Sequence, residues 1–240
     1  MNREQARKKI IFALDVNGLD EIERFAGLLA GRVGMFKVGK ELFTSCGPHA
    51  STAVQRHGGG VFLDLKYHDI PNTVARAMVE AGRHGVALVN LHALGGPEMM
   101  ETAAREVQRE FGDQRPKLLA VTILTSSTAE TLKRVGIDHP IEEMVLRLAK
   151  LAREAGMDGV VASPLEIAMI REACGPDFLI VTPGVRPSFA ALDDQKRIMT
   201  PAEAVRAGAD YLVIGRPIAR AADPAAAAEL IVDEIVEGCP

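Results

Sequence analysis

Eight short apolar runs recur at near-regular intervals along the 240-residue chain: Ile10–Leu14, Met35–Val38, Val61–Leu65, Ala87–Leu91, Leu118–Ile123, Gly159–Ala162, Phe178–Val181 and Tyr211–Ile214. Each has strand length and reads as continuous rather than alternating, the pattern of a strand covered on both faces. Helix-length segments with charged faces lie between them: Leu19–Ala30, Asn72–His84, Pro97–Glu110, Ile141–Ala155, Leu165–Ala173 and Pro201–Ala207. The last is Ala222–Val236, where Asp223-Pro224 gives a start signal. Parallel strands need crossovers of this length, and eight runs in 240 residues is about one βα unit per 30 residues. The expectation is an α/β chain closed into a (β/α)8 TIM barrel, with residues 1–240 as a single domain, since no linker or charge block divides them. An open nucleotide-binding sheet should carry Gly-x-Gly-x-x-Gly after its first strand, but Asp15-Val16-Asn17-Gly18-Leu19 stands there. Two similar tetrapeptides, Ala155-Gly156-Met157-Asp158 and Ala207-Gly208-Ala209-Asp210, precede strands six and eight and read as helix ends capped by glycine.

Composition narrows the partners. A net charge of −4 with no Trp and two Tyr offers neither the basic face nor the stacking platform of a nucleic-acid binder. Cys46, Cys174 and Cys239 are odd in number, widely spaced and free of any Cys-x-x-Cys pair, so neither a disulfide framework nor a structural zinc is expected. The basic start at Arg3, Arg7, Lys8 and Lys9 leads only into Ile10–Leu14 before Asp15 interrupts, too short for a signal peptide. No run approaches the length of a membrane span. A soluble, cytoplasmic setting is expected.

In such a barrel the functional groups sit at the C-terminal ends of the strands. Strand one ends at Asp15, strand two contains Lys37, and strand three ends Asp64-Leu65-Lys66, with Asp69 close behind. Residues two apart on a strand share a face. Phe62, Asp64 and Lys66 therefore point into the barrel, and Leu63 and Leu65 face the helices. Burying charges is costly unless they are paired. An alternating Lys–Asp–Lys–Asp row would keep Lys66 protonated and both carboxylates ionised, at about 4 kcal/mol per close pair in a medium of intermediate dielectric. Strand four leads to His92, either a substrate contact or a satisfied core histidine. Strand five leads to Thr125-Ser126-Ser127-Thr128, part helix cap and part candidate ligand contact. Strands seven and eight lead to Arg186 and to Gly215-Arg216-Pro217, at the two loops where barrels of this kind often bind phosphate. Pro187–Met199 is long and polar and reads as a lid, from which Gln195 would reach the phosphate.

The segment Phe62-Leu63-Asp64-Leu65-Lys66-Tyr67-His68-Asp69-Ile70-Pro71-Asn72-Thr73 resembles the signature of the orotidine 5′-phosphate decarboxylase family. So do Ala13-Leu14-Asp15, Phe36-Lys37-Val38-Gly39, Thr122-Ile123-Leu124-Thr125-Ser126, Pro183-Gly184-Val185-Arg186-Pro187 and Val213-Ile214-Gly215-Arg216-Pro217-Ile218. The resemblance runs nearly end to end and is to the bacterial branch. It implies removal of CO2 from orotidine 5′-monophosphate to give uridine 5′-monophosphate, with no metal or organic cofactor. By the same resemblance Lys66 donates the proton to C6, Asp64 lies beside the substrate carboxylate, and Lys37 and Asp15 hold the ribose. Asp69 and Thr73 reach the partner's site in a homodimer with shared sites. Thr125 or Ser126 contacts the pyrimidine, and Arg186, Gln195, Gly215 and Arg216 hold the phosphate. The competing readings are a related 3-keto-L-gulonate 6-phosphate decarboxylase or hexulose phosphate synthase, a Schiff-base aldolase, and a non-catalytic binder of phosphorylated ligands. The Ile70-Pro71-Asn72-Thr73 continuation argues against the first. The flanking carboxylates argue against the second, because a Schiff-base lysine must be neutral. A mere binder has no need of the charge row.

Overall fold

Runs that are apolar on both faces demand two cores, one inside a closed sheet and one outside it. The computed structural model describes residues 1–190 and 199–239. Its strands are β1 (Ile10–Leu14), β2 (Met35–Gly39), β3 (Gly60–Tyr67), β4 (Leu88–His92), β5 (Lys117–Val121), β6 (Gly159–Val161), β7 (Leu179–Pro183) and β8 (Tyr211–Ile214). They pair in parallel in sequence order, and β8 closes on β1, which makes the chain a (β/α)8 TIM barrel. Around the sheet run α1 (Arg3–Lys8), α2 (Leu19–Leu29), α3 (Lys40–Cys46), α4 (His49–Arg56), α5 (Pro71–Arg83) and α6 (Pro97–Phe111). They are followed by α7 (Ala129–Arg134), α8 (Ile141–Glu154), α9 (Ile167–Cys174), α10 (Pro201–Ala207), α11 (Arg216–Ala219) and α12 (Pro224–Gly238). No helix of the described residues is long and apolar enough to cross a membrane.

The inner core is small. Ile11, Ala13, Met35, Phe62, Leu88, Leu119, Val121, Val161, Val181 and Val213 fill the barrel. Alternate residues such as Ile10, Phe12, Leu14, Leu63 and Val89 join the larger layer beneath the helices. The alternation is the strand's own period of two, hidden from the sequence because both destinations are apolar.

Three helices depart from the sequence reading. The β2–β3 crossover carries α3 and α4, which had no recognisable periodicity. The buried face of α4 is Ala50, Ser51, Ala53 and Val54, residues too small to print an apolar stripe. The basic N-terminus forms α1, started by a capping box between Asn2 and Gln5.

The two tetrapeptides prove to be the same device used twice. Gly156 and Gly208, at φ +81° and +111°, turn the chain out of a helix, as the C-cap reading expected. The aspartates then do equal work. Asp158 accepts the Leu118 N–H at 2.8 Å and Asp210 accepts the Ile180 N–H at 2.8 Å. An arginine closes each: Arg115 bonds Asp158 in bidentate fashion at 2.5 and 2.9 Å, and Arg171 reaches Asp210 at 2.6 Å. Each aspartate thus fixes the start of its own strand against the preceding one at the barrel floor.

Burial pushes the Asp158 carboxyl up, but the Arg115 hydrogen bonds and the Leu118 N–H outweigh it and hold the group below its ordinary value. Its stabilising contribution is therefore complete above the unfolded carboxylate value of about 3.9 and is lost as pH falls below that through the folded value. Asp158→Asn is expected to cost about 2 kcal/mol at pH 7. Urea unfolding should also show the variant losing less stability than the parent between neutral and strongly acidic pH.

Candidate active site

The residue two positions beyond the last inner-core residue of each of the first four strands is polar. Ala13 is followed by Asp15, Met35 by Lys37, Phe62 by Asp64 and Leu88 by Asn90. Strands β5 to β8 and their ends supply Val121, Ile123, Val161, Ala162, Pro183 and Val213 instead. The barrel mouth is therefore half ionic and half apolar, around a cavity of about 200 Å³ that Lys37, Asp64, Lys66 and Thr125 also line.

The ionic half is a continuous row. Asp15 Oδ1 accepts from Lys37 Nζ at 3.1 Å. Lys37 Nζ lies 3.7 Å from Asp64 Oδ2, and Lys66 Nζ donates to Asp64 Oδ1 at 2.5 Å. Burial pushes the Asp64 carboxyl up, but the two ammonium groups and hydrogen bonds from Lys66 and Asn90 more than offset this and hold it below its ordinary value. Asp64 is an anion at neutral pH.

The backbone beneath the row is irregular. Pairing of β3 with β4 runs Phe62–Leu88 and Leu63–Val89, then resumes only at Tyr67–Leu91. Thus β3 advances four residues while β4 advances two. Within this bulge Lys66 takes φ +53°, alone among the described non-glycine residues in being positive. A left-handed residue with a Cβ costs roughly 1–2 kcal/mol, so something must hold it. Asn90, fully buried, does so from β4: its Oδ1 accepts the Lys66 N–H at 2.8 Å and its Nδ2 donates to Asp64 Oδ1 at 2.7 Å. Sequence reading passed over Asn90. The available signal was a lone amide in an otherwise apolar run, in phase with Leu88.

The other expected residues divide. Arg186 and Arg216 come together, lining a second cavity of about 340 Å³ with Phe189 and Arg220. Gly215 joins Asp15 and Arg216 in an adjoining hollow, and a Cβ there would stand 3.2 Å from the Ala13 Cβ, so glycine lets the loop after β8 lie against the end of β1. Arg220 lines both hollows and was not singled out from sequence. Thr125 faces the barrel cavity, whereas Ser126 is exposed and does not line it. The helix cap in that segment is Thr128, which accepts the Thr131 N–H at 3.1 Å. Within one chain the carboxylate beyond Lys37 is Asp15, while Asp69 is exposed, its carboxylate accepting the Ile70 N–H at 2.6 Å. Thr73, on α5, is exposed as well. Gln195 lies outside the described residues. His92 is half-buried against His68, with ring centroids 5.7 Å apart. Burial, then His68, Lys40 and Lys66, lowers its pKa to about 4, so the ring is neutral at pH 7. No cluster of three or more His, Cys, Asp or Glu suited to a metal ion occurs among the described residues.

The model of the Orotidine 5′-phosphate decarboxylase / HUMPS family matches residues 8–231. An orotidine 5′-phosphate decarboxylase of Pelobacter propionicus is 79% identical over 240 residues, covering all of both chains. That of Trichlorobacter lovleyi is 75% identical and covers 99% of each. Among solved structures, orotidine 5′-phosphate decarboxylase from Lactobacillus acidophilus superposes with a TM-score of 0.83 at 39% identity, over 94% of this chain and 98% of the other.

Proposed function

Because this chain belongs to the Orotidine 5′-phosphate decarboxylase / HUMPS family, we propose that it converts orotidine 5′-monophosphate to uridine 5′-monophosphate in pyrimidine synthesis, without a cofactor and with Lys66 as the proton donor. The enzyme is a lyase that acts by decarboxylation. The observation that carries the finer reading is the Lys66 ammonium, held 2.5 Å from a buried carboxylate and facing a cavity.

The chemistry follows from that placement. As the bond between C6 and the carboxylate breaks, CO2 departs and its bonding pair stays on C6, which has no conjugated sink. A fixed ammonium at that carbon stabilises the growing charge and then delivers its proton, leaving a neutral amine that regains a proton from solvent. Asp64 lies beside the departing carboxylate and, with Lys37 and Asp15, keeps the lysine aimed. The apolar half of the mouth suits a departing neutral molecule and keeps water from the carbanion. The phosphate sits between Arg186 and Arg216, with Gln195 and Gly215 completing its site and Thr125 meeting the base. Binding the phosphate remotely supplies affinity that lowers the barrier at C6.

The active unit is a homodimer in this reading, with Asp69 and Thr73 of one chain entering the other's site. Its support is exposure. Asp69 and Thr73 do not line the cavity of their own chain, and the neighbouring Ile70, Leu94 and Leu124 are 66%, 43% and 42% exposed at the ends of three successive strands. Apolar groups gathered at one rim are what a contact face requires.

One ultraviolet assay tests the activity: consumption of orotidine monophosphate by purified enzyme, with and without EDTA. Turnover insensitive to the chelator is expected; no turnover, together with metal-dependent activity on a sugar phosphate, would favour the related decarboxylases. Arg216→Ala tests the phosphate site. It should raise the KM for the nucleotide about 10- to 100-fold, the worth of one charged hydrogen bond. Binding of the bare nucleoside should change little; equal weakening of both would remove Arg216 from the phosphate site.

A further inference from the structure

Strands β1 to β3 and their ends bring four charged groups to the row at the mouth: Asp15, Lys37, Asp64 and Lys66. Asn90, from β4, bears no charge, is fully buried, and spends both ends of its amide on its neighbours. Its two partners are not a random pair. One is the backbone N–H of Lys66, the single described non-glycine residue in left-handed conformation, and the other is the carboxylate oxygen that receives that residue's ammonium.

The bulge explains why such a group is needed. Between Leu63 and Tyr67 the regular ladder to β4 is interrupted, so the Lys66 N–H has no strand partner of the ordinary kind. Without Asn90 Oδ1 that part-buried donor would be left unpaired beside an already strained φ. The residue would then relax towards an ordinary strand conformation, and a backbone change there swings the ammonium away. Asn90 Nδ2 meanwhile fixes which lone pair of Asp64 Oδ1 remains for Lys66. Aspartate in place of asparagine cannot do both jobs, since it brings a second negative charge against Asp64, and leucine of similar size can do neither.

We infer that Asn90 is a positioning residue, whose amide locks the backbone of Lys66 and the carboxylate of Asp64 into one rigid unit that aims the ammonium at the reacting carbon. The inference rests on the proposed decarboxylation and deepens it. Asn90 touches no substrate atom in this role. Its effect should therefore fall on kcat and leave the affinity for the product nucleotide, set largely at the arginines, unchanged.

Three variants of the full-length protein test this, each checked for folding by circular dichroism and for binding of uridine monophosphate. Asn90→Ala and Asn90→Leu should both lower kcat about 10²-fold, the usual consequence of misplacing a reacting group by an ångström, with product affinity retained. Asn90→Asp should move the acid limb of kcat/KM to higher pH, because a like charge beside Asp64 raises the pH at which that carboxyl ionises. A leucine variant with parental kcat would show that the side chain only fills space and would overturn the inference. An acid limb unmoved in the aspartate variant would overturn it equally, and that readout stands even if the other two fail to fold. A parent enzyme that does not consume orotidine monophosphate at all would instead overturn the activity on which the inference rests.

Discussion

Lys66→Ala is expected to abolish decarboxylation while the barrel remains folded. Two effects are removed together. General-acid delivery of a proton is worth about 10² to 10⁴ in rate, and a fixed charge at a developing anion about 10² to 10³, so a loss of at least about 10⁴-fold follows. The neighbouring described groups cannot take over. Lys37 is committed to Asp15 at 3.1 Å and faces the far oxygen of Asp64 at 3.7 Å. The His92 ring, with its pKa at about 4, is neutral and has no surplus proton to offer at pH 7. The fold should tolerate the change because Asp64 keeps Lys37 and Asn90 as partners, and Lys66 is only partly buried. Steady-state assay with orotidine monophosphate measures the loss, and unchanged far-ultraviolet dichroism with retained binding of uridine monophosphate excludes unfolding as its cause. Near-parental turnover would falsify the proton-donor role.

Legibility followed physical scale. The strands stood out because a barrel strand is apolar on both faces and short, and Ile10–Leu14 and Tyr211–Ile214 match their runs end to end. Asp15, Lys37, Asp64 and Lys66 were legible for the complementary reason: a charge at the end of such a run has nowhere to point except the mouth. What escaped was whatever used small, neutral or backbone groups. The buried face of α4 consists largely of alanine and serine, so no period showed. Asn90 carries no charge and looked like an interruption of an apolar run. The bulge at Lys66 leaves no mark of its own in composition, because the residue that adopts φ +53° is neither glycine nor asparagine. Asp69 shows the converse limit. It follows Lys66 closely in sequence, and the resemblance puts it in a partner's site; within its own chain α5 begins at Pro71 and the carboxylate is exposed, so a single chain leaves its role open to test.

The exposure of Asp69 leads to the second large effect, which follows from symmetry. In a twofold dimer each site would combine Lys66 of one chain with Asp69 of the other. Asp69→Asn and Lys66→Ala should each be nearly inactive when pure, since every site then lacks one of the two groups. Mixed under conditions that allow subunits to exchange, the variants form hybrids with two unlike sites. One site brings both substitutions together and is doubly defective. The other takes its lysine from the Asp69→Asn chain and its aspartate from the Lys66→Ala chain, and is intact. Random exchange makes about half of the dimers hybrids with one good site in two, so about a quarter of the parental activity should return. Two inactive preparations that regain activity only on mixing cannot be explained by sites confined to single chains. If exchange is demonstrated, by mass spectrometry of differently labelled chains, and activity stays at the level of the pure variants, Asp69 does not cross between subunits. The exposed rim at Ile70, Leu94 and Leu124 would then need another occupant.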